Sequence, residues 1–338
     1  MTTNKQWILR RRPTADITSG DLELVETPLR AITDGEVLSR NIYLSLDPTH
    51  RIWMSDRDQY LPPVELGQVM RGGVLGVVER SASPKFKPGD LVKPAVGGWE
   101  QFTIAKDHLM RPVPDLPGVP LPAHMSVLGS TGVTAYFGLM DIGQPKAGEM
   151  VVVSAAAGAV GSIAAQIAKL KGCRVVGIAG GKAKCDWLRD GLGLDGVIDY
   201  KGEDVAAALD RLCPDGIDID FENVGGAIMD AVIARMNTFG RVSLCGMIST
   251  YNDERPVPGP ADFGRVLMHR LLIKGFIVID YFPRMAEAMA ELVPWVQRGE
   301  LQWKTHIVDG LENAAEAVQL LFSGGNDGKL LVRVSPEP

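Results

Sequence analysis

The fold of this chain is decided by one stretch, Val151-Val-Val-Ser-Ala-Ala-Ala-Gly158-Ala-Val-Gly161-Ser-Ile-Ala-Ala-Gln-Ile-Ala-Lys-Leu-Lys171. It begins as an apolar strand, passes through a tight turn of small residues, and continues as a helix with one apolar face: Val160, Ile163, Ile167 and Leu170. The spacing Ala156-x-Gly158-x-x-Gly161 is typical of a dinucleotide-binding βαβ unit, although a lone match also occurs in ordinary turns. Small residues let a pyrophosphate approach the positive end of the helix. We therefore expect a dinucleotide coenzyme to bind here.

The end of the second strand indicates which dinucleotide binds. NAD-binding units usually carry an acidic residue there to hold the ribose 2′-hydroxyl. In this chain Arg174–Ala179 runs into Gly180, Gly181 and two lysines, Lys182 and Lys184. Two glycines leave room for a 2′-phosphate, and an ammonium group can neutralise its charge. The alternative is that both lysines are solvent-exposed residues of the next helix that bind no ligand. This is disfavoured because a cation at a helix N-terminus opposes the helix dipole. The sequence predicts NADP(H).

Bulk composition narrows the class of protein. The 338 residues carry a formal net charge of −6, which argues against a nucleic-acid partner. No apolar run reaches the ~18 residues of a membrane span, and no secretory signal is visible, so we expect no membrane association and a cytoplasmic location. The four cysteines form no C-x-x-C pair, and the five histidines are scattered. We therefore expect no metal site.

The pattern along the chain predicts an α/β protein of two domains. The first 125 residues form short strands separated by proline-containing turns, and from about residue 128 strands alternate with helices. The last part of the chain ends in a strand pattern, Lys329–Val334, that we expect to return to the first domain. Six strands are predicted in the alternating part, the number in a doubly wound dinucleotide domain: Met150–Ser154, Arg174–Ala179, Gly196–Tyr200, Ile217–Phe221, Gly240–Gly246 and Leu271–Val278.

Ligands of such sheets bind beyond the carboxyl ends of the strands, so the residues that follow each strand are candidate ligands. Asn223 can offer an amide, and Tyr251 a hydroxyl on an aromatic ring. Tyr200 can stack on or hydrogen-bond to the adenosine end. The alternative for each is a structural role, as a turn residue for Asn223 and as a strand-end or core-edge tyrosine for the other two.

The order of motifs resembles the zinc-free branch of the medium-chain dehydrogenase/reductase superfamily, which contains prostaglandin reductases, alkenal double-bond reductases and bacterial curcumin reductases. The matching stretches are Leu44–Pro48, Gly132–Leu139, Ala155–Gly161, Phe221–Gly226, Ile248–Asn252, Lys274–Val278, Val308–Asn313 and Asn326–Lys329. The resemblance implies a GroES-like, β-rich catalytic domain (1–125 and 300–338) and a Rossmann NADP-binding domain with a doubly wound six-stranded parallel sheet (126–299).

The resemblance also implies where the coenzyme binds. The pyrophosphate would lie against the turn Gly158–Gly161, the 2′-phosphate near Lys184 and Tyr200, and the nicotinamide ribose near Asn223 and Tyr251. The complete set implied as coenzyme-binding is Gly158, Ala159, Val160, Gly161, Gly180, Gly181, Lys184, Tyr200, Asn223, Cys245, Gly246, Ser249, Tyr251, Phe276, Ile277, Val278 and Asn326. Zinc-bearing relatives bind zinc through residues of the N-terminal domain, including a cysteine, and this chain has no cysteine before Cys173.

The implied reaction is reduction of a C=C bond conjugated to a carbonyl group in a small unsaturated substrate. Hydride adds to the β-carbon, and the resulting enolate is protonated at the α-carbon. Donors to the enolate oxygen would be Tyr60 or the coenzyme ribose oriented by Tyr251. Close relatives commonly have a tyrosine where this chain has Thr49, which suggests a bulkier or differently shaped substrate. The adjacent His50 is a candidate proton donor, with packing as the alternative.

Two other functions fit the same residues: a zinc-free carbonyl or quinone reductase, and a catalytically idle NADPH-binding protein. The apolar strand Leu271–Val278 is predicted at a sheet edge, where unpaired backbone groups need cover. In relatives this strand pairs with its two-fold mate, so the resemblance implies a homodimer.

Overall fold

In the computed structural model, residues 2–18, 20–253, 255 and 259–338 are described. The strands are β1 (Thr3–Leu9), β2 (Leu22–Pro28), β3 (Glu36–Ser45), β4 (Val74–Ser81), β5 (Leu91–Pro94), β6 (Phe102–Lys106), β7 (Met110–Pro112), β8 (Met150–Val153), β9 (Arg174–Ala179), β10 (Gly196–Asp199), β11 (Ile217–Glu222), β12 (Met236–Leu244), β13 (Leu272–Gly275), β14 (Thr305–Asp309) and β15 (Lys329–Arg333). The helices are α1 (Thr49–Trp53), α2 (Ser130–Phe137), α3 (Gly161–Leu170), α4 (Lys182–Asp186), α5 (Val205–Leu212), α6 (Gly226–Ile233), α7 (Gly264–Met268), α8 (Met285–Gln297), α9 (Ala314–Ala317) and α10 (Leu320–Ser323).

The alternating part of the chain forms the expected six-stranded sheet. Its order is β10-β9-β8-β11-β12-β13, and all neighbouring strands pair in parallel. This is the doubly wound order, in which the chain starts in the middle of the sheet and winds outward twice. The carboxyl ends of all six strands therefore lie along one edge of the sheet, here called the coenzyme edge. The predicted α/β fold class with a Rossmann sheet is confirmed.

Two details differ from what the sequence suggests. Leu170 belongs to the apolar face predicted for α3, yet it is 40% exposed, whereas Ile163 and Ile167 are fully buried. Leu170 is the last residue of the helix, so the apolar face ends one turn earlier. The sequence pattern also predicts a crossover helix over Ala227–Met236, but α6 stops at Ile233 and Met236 begins β12. Its apolar side chain fits the buried core of either element, which is why periodicity alone misplaced it.

The C-terminal strand completes the N-terminal sheet. Strand β15 pairs antiparallel with β3 and parallel with β14, in a sheet ordered β14-β15-β3-β4-β5-β7, with β6 also on β3. Buried Trp99 and Leu44 belong to the core of this part. Helix α1 follows directly after β3, so the sheet fixes the position of Thr49, His50 and Trp53.

Candidate active site

The glycine turn after β8 lets a ligand come close to the backbone at the start of α3. A Cβ atom on Gly161 would lie 2.4 Å from the carbonyl oxygen of Ala155, so only glycine fits there. Ala155 itself has a positive φ of 47°, an uncommon conformation for a residue with a side chain. The N–H groups of Ser162 and Ile163 donate within the turn, to Gly158 O at 3.0 Å and Val160 O at 3.1 Å, so an anion would approach the turn itself, at the positive end of α3. The turn therefore fits a pyrophosphate.

The end of β9 leaves room for an extra phosphate. Gly181 has a φ of 91°, which favours glycine, and a Cβ atom on Gly180 would lie 2.7 Å from the Tyr200 ring, so the glycine lets that ring pack against the backbone. The nearby Asp199 carboxylate accepts from the backbone N–H groups of Gly181 (2.8 Å) and Lys201 (3.0 Å). Both bonds go to Oδ1, so Asp199 holds the glycine turn, and it ends β10 rather than β9, where NAD-binding units carry their acidic residue.

Two ammonium groups flank this phosphate position. Lys184 Nζ donates to the carbonyl of Gly324 at 2.8 Å, and burial lowers the pKa of Lys184. Lys201, which the sequence analysis missed, interacts electrostatically with Lys184, and its Nζ lies 6.0 Å from the Tyr200 ring centre. By contrast, Lys182 is 85% exposed and pairs with Asp186 at 2.5 Å. The set Lys184, Lys201 and Tyr200 fits a 2′-phosphate.

The loop before β15 lies against the glycine turn. Gly328 forms an isolated parallel bridge with Gly158, and Lys184 contacts the same loop at Gly324. Asn326 Nδ2 donates to the carbonyl of Gly328 at 2.8 Å, which holds this side chain within the loop. The structure therefore brings Asn326 to the coenzyme edge of the sheet, although the residue is distant in sequence.

The loops after β11 and β12 are joined to each other. The N–H groups of Cys245 and Gly246 donate to the carbonyl of Glu222, and Ser249 Oγ donates to the carbonyl of Val224 at 2.6 Å. Asn223 Nδ2 donates to Ser154 O at 2.7 Å, which ties the loop to β8. These bonds fix the backbone on which a nicotinamide ribose would lie.

The segment after β13 packs against α2. A Cβ atom on Gly138 would lie 2.5 Å from Phe276 Cζ and 2.8 Å from Phe221 Cε2, so the rings fill the space that this glycine leaves. Phe276 also contacts Tyr281, with ring centres 6.0 Å apart. Ile277 and Val278 continue from Phe276 into a 3-10 helix, at the same edge as the other candidate coenzyme ligands.

Two tyrosines from different parts of the chain meet beside this edge. The Tyr251 oxygen accepts from the N–H of Met247 at 3.1 Å, and the Tyr60 oxygen accepts from Trp53 Nε1 at 3.0 Å. The two phenol groups interact electrostatically, and Arg57 donates to the carbonyl of Tyr251 at 3.1 Å. Burial raises the pKa of Tyr251 to about 12 and also raises that of Tyr60. Both hydroxyl groups therefore keep their protons at neutral pH.

Thr49 and Arg71 border the Tyr60 hydroxyl group. The Thr49 side chain forms a hydrogen bond with Tyr60 that favours the phenolate, and the Arg71 charge acts in the same direction. The Arg71 guanidinium also lies over the Trp53 ring, 5.4 Å from its centre. Thr49 and Trp53 thus hold the Tyr60 oxygen from two sides.

His50 lies deeper than the sequence suggested. It is fully buried, with ring centres 5.2 Å from Trp53 and 5.3 Å from Trp99, and neither ring nitrogen has a partner among the described residues. Burial lowers its pKa to about 4, against the opposing charge of Asp47. A neutral, enclosed imidazole is a poor proton donor at neutral pH, so this position favours packing.

In the described part of the chain, no group of three or more His, Cys, Asp or Glu side chains is arranged to hold a metal ion. Nor does that part contain a helix with the length and apolar character needed to cross a bilayer.

Comparison with known proteins agrees with this geometry. The family described as N-terminal domain of oxidoreductase matches residues 5–113, and that described as zinc-binding dehydrogenase matches residues 159–297. The chain is 42% identical to the NADPH-dependent curcumin reductase of Escherichia coli K12 over 98% of this chain and 97% of that protein. The chain belongs to the zinc-free branch of the medium-chain dehydrogenase/reductase superfamily.

Two further members of this superfamily resemble the chain over nearly its whole length. The NADP(+)-dependent 2-alkenal reductase of Nicotiana tabacum is 39% identical over 99% of this chain and 98% of that protein. The crystal structure of CurA from Vibrio vulnificus in complex with NADPH superposes with a TM-score of 0.93 at 41% identity, covering 98% of this chain and all of that chain. The family match in sequence thus extends to the three-dimensional structure.

Proposed function

We propose that this protein is an NADPH-dependent reductase of C=C bonds conjugated to a carbonyl group. The observation that carries the proposal is the shared arrangement of Tyr60 and Tyr251 beside the coenzyme edge. Each phenol oxygen already accepts an N–H donor from the protein, so its own O–H is available to a further acceptor. A substrate carbonyl oxygen that gains negative charge is such an acceptor. The curcumin and alkenal reductases named above support the same chemistry.

The roles of the residues follow from the charges that develop. Bound NADPH would supply the hydride that adds to the β-carbon of the substrate. The glycine turn after β8 and the Lys184–Lys201 pair would bind the phosphates, and Asn223 would hold the ribose. Tyr60 and Tyr251 would donate hydrogen bonds to the enolate oxygen. We assign proton donation to a tyrosine rather than to His50, which has a pKa of about 4 and is enclosed by two indole rings.

Thr49 extends this proposal to substrate choice. Because threonine is smaller than the tyrosine of close relatives, it leaves more space beside Tyr60 and Trp53. We expect this space to accept a bulkier enone than a simple alkenal. Thr49 would act through the orientation of Tyr60 and through the shape of the pocket.

Product analysis with an α,β-unsaturated ketone and NADPH tests the proposed reaction. We expect the saturated ketone. An allylic alcohol would indicate a carbonyl reductase and contradict the proposal. Tight NADPH binding with no product from enones, ketones or quinones would indicate an idle coenzyme-binding protein.

We also propose that the protein is a homodimer joined at the β13 edge of the six-stranded sheet. Within the described part of the chain, strand β13 pairs with β12 alone, and apolar side chains around it are largely exposed. The exposed fractions are 65% for Phe239, 66% for Phe263, 71% for Leu267, 66% for Met268 and 48% for Leu272. An apolar sheet edge of this kind needs cover, and a second copy would continue the sheet.

A cytoplasmic location and the absence of a nucleic-acid partner complete the proposal. The four cysteines are free thiols, which suits a reducing compartment. The net charge of −6 opposes binding to nucleic acid. The metal-free active site stays a prediction, supported by the lack of the N-terminal cysteine ligand.

A further inference from the structure

Two carboxyl groups are buried on the central strand of the six-stranded sheet. Asp220 and Glu222 are both fully buried, and because they are two residues apart on β11 they point to the same face. The residues paired with Asp220 on the neighbouring strands are Val152 and Val242, both fully buried in an apolar cluster. Asp220 therefore faces an environment that cannot solvate a charge.

Glu222 has a defined set of hydrogen-bond partners, whereas Asp220 has none among the described residues. One oxygen of Glu222, Oε1, accepts from Ser154 Oγ and Gly225 N, both at 2.8 Å, and from Val224 N. Ser154 Oγ in turn accepts from Asn223 N at 2.7 Å. The other oxygen, Oε2, and both oxygens of Asp220 have no hydrogen-bond partner among the described residues. Three buried acceptor atoms are thus left without donors among the described residues.

Burial and mutual repulsion both favour a proton on this pair of carboxyl groups. Burial raises the pKa of Asp220 well above its ordinary value, and the charge of Glu222 raises it further. Burial also raises the pKa of Glu222, but the donors on Oε1 oppose this effect. Cys245 is the other titratable group that interacts with Glu222, and burial keeps it a neutral thiol by raising its pKa to about 12. Because the described residues place no cation on either carboxyl group, two adjacent negative charges would be costly.

We propose that Asp220 is protonated and donates its hydrogen bond to Oε2 of Glu222, so that the pair holds one negative charge and anchors the turn 223–226. Asp220 is then a positioning residue that acts through Glu222 on Asn223 and the coenzyme. The protonation is independent of the proposed reaction, and its effect on the coenzyme rests on the proposed binding of NADPH.

Infrared spectroscopy tests the proton directly. We expect the wild-type protein at neutral pH to show the C=O stretching band of a buried protonated carboxyl group, and the variant Asp220→Asn to lack it. Asp218→Asn is the matched control, because Asp218 lies on the same strand and accepts hydrogen bonds from Met150 N and Asn237 Nδ2. This control should retain the band. Absence of the band from the wild type, or its survival in Asp220→Asn, would overturn the proposal.

The positioning role is tested by NADPH titration followed by fluorescence. Asp220→Asn keeps the size and a donor for Glu222, so we expect a Kd within about twofold of the wild type. Asp220→Leu is similar in volume but leaves Oε2 unpaired, which should weaken binding about tenfold or more. Equal affinities for the two variants would contradict the role. If the wild type itself bound no NADPH, the proposed function would fail while the infrared result could still stand.

A stability measurement covers the case in which Asp220→Leu does not fold. When the pKa of an aspartate is higher in the folded than in the unfolded chain, folding takes up a proton at any pH above the ordinary pKa. The free energy of unfolding of the wild type therefore falls as the pH rises. Asparagine has no such cost. We expect the Tm of the wild type to fall relative to that of Asp220→Asn between about pH 5 and about pH 8. Parallel Tm curves would contradict the proposal.

Discussion

Lys329 Nζ donates to Asp47 Oδ1 at 2.7 Å, although the two residues are 282 positions apart in the sequence. The same ammonium group donates to the carbonyl of Leu46 at 2.8 Å, and the Lys329 side chain is only 2% exposed. Asp47 directly precedes the segment that carries Thr49 and His50. The ion pair therefore connects the C-terminal strand β15 to the substrate side of the proposed active site.

Replacing Lys329 by methionine should destabilise the protein by about 3–5 kcal/mol, because it leaves a carboxylate without its partner in a largely buried place. Urea unfolding measures the change. The matched control is Lys5→Met, whose pair with Glu26 spans 3.7 Å with both side chains about half exposed. Lys5→Met should lower the free energy of unfolding by at most about 1 kcal/mol. Similar losses for the two variants would contradict the assigned role.

The same pair predicts sensitivity to acid. Burial alone would raise the pKa of Asp47, but the Lys329 charge, the His50 ring and bonds from Lys329 and Ser45 lower it below its ordinary value. Because the pKa of Asp47 is lowered in the folded chain, the ionised carboxylate stabilises the folded state at pH values above its ordinary pKa. This stabilisation is lost as the pH falls. We expect Asp47→Asn to have a lower free energy of unfolding than the wild type at neutral pH, and this difference to become smaller at about pH 3. A constant difference across this range would rule out the pair as the cause.

The 2′-phosphate assignment predicts a coenzyme-specific effect of Lys184→Ala. Losing one charge-assisted contact should raise the KM for NADPH by about 10- to 100-fold and leave the KM for NADH nearly unchanged. Lys182→Ala is the control, because its ammonium group is exposed and pairs with Asp186. Steady-state kinetics with both coenzymes measures the difference. Equal use of NADH by the wild type would contradict the assignment.

Removing the Tyr251 hydroxyl should affect turnover more than coenzyme binding. Tyr251→Phe keeps the ring and removes the donor, so we expect kcat to fall by up to about 100-fold with a small change in the Kd of NADPH. Tyr43→Phe is the control, since that hydroxyl bonds to Glu337 at 2.6 Å, away from the proposed active site. An unchanged kcat would assign Tyr251 a structural role and leave Tyr60 as the donor.

The proposed dimer predicts a mass of about 73 kDa, twice the 36.5 kDa of the chain. Leu267→Asp places a charge in the exposed apolar patch beside β13 and should shift the protein to monomer. Leu66→Asp is the control, because Leu66 is also exposed (52%) but belongs to the N-terminal part. Analytical ultracentrifugation at micromolar concentration measures both. A monomeric wild type would refute the dimer.

The sequence predicted the six-stranded sheet because its signals are local. Apolar strands bounded by glycine turns, such as Val151 to Gly158, need no knowledge of the rest of the chain. Features that depend on neighbours could not be predicted in this way. Asp220 and Glu222 are buried because β11 is the central strand and is covered on both faces, which the local pattern Ile217-Asp-Ile-Asp-Phe-Glu222 does not show.

The site was predictable where residues follow a strand and unpredictable where distant segments meet. Asn223 and Cys245 could be placed because parallel strands end at one edge. The contact of Lys184 with Gly324 and the pair of Lys329 with Asp47 join segments far apart in sequence, and no local pattern announces them. The usual pKa of histidine makes His50 a candidate proton donor, with packing as the alternative, and its burial between two tryptophans lowers that pKa to about 4 and favours packing.

The central claim, hydride addition to a conjugated C=C bond, is tested most directly by isotope transfer. The protein is incubated with NADPH deuterated at the transferable position and an α,β-unsaturated ketone in ordinary water, and the product is examined by NMR. We predict deuterium at the β-carbon and a solvent-derived hydrogen at the α-carbon of a saturated ketone. Deuterium on a carbinol carbon, with the double bond intact, would contradict the claim.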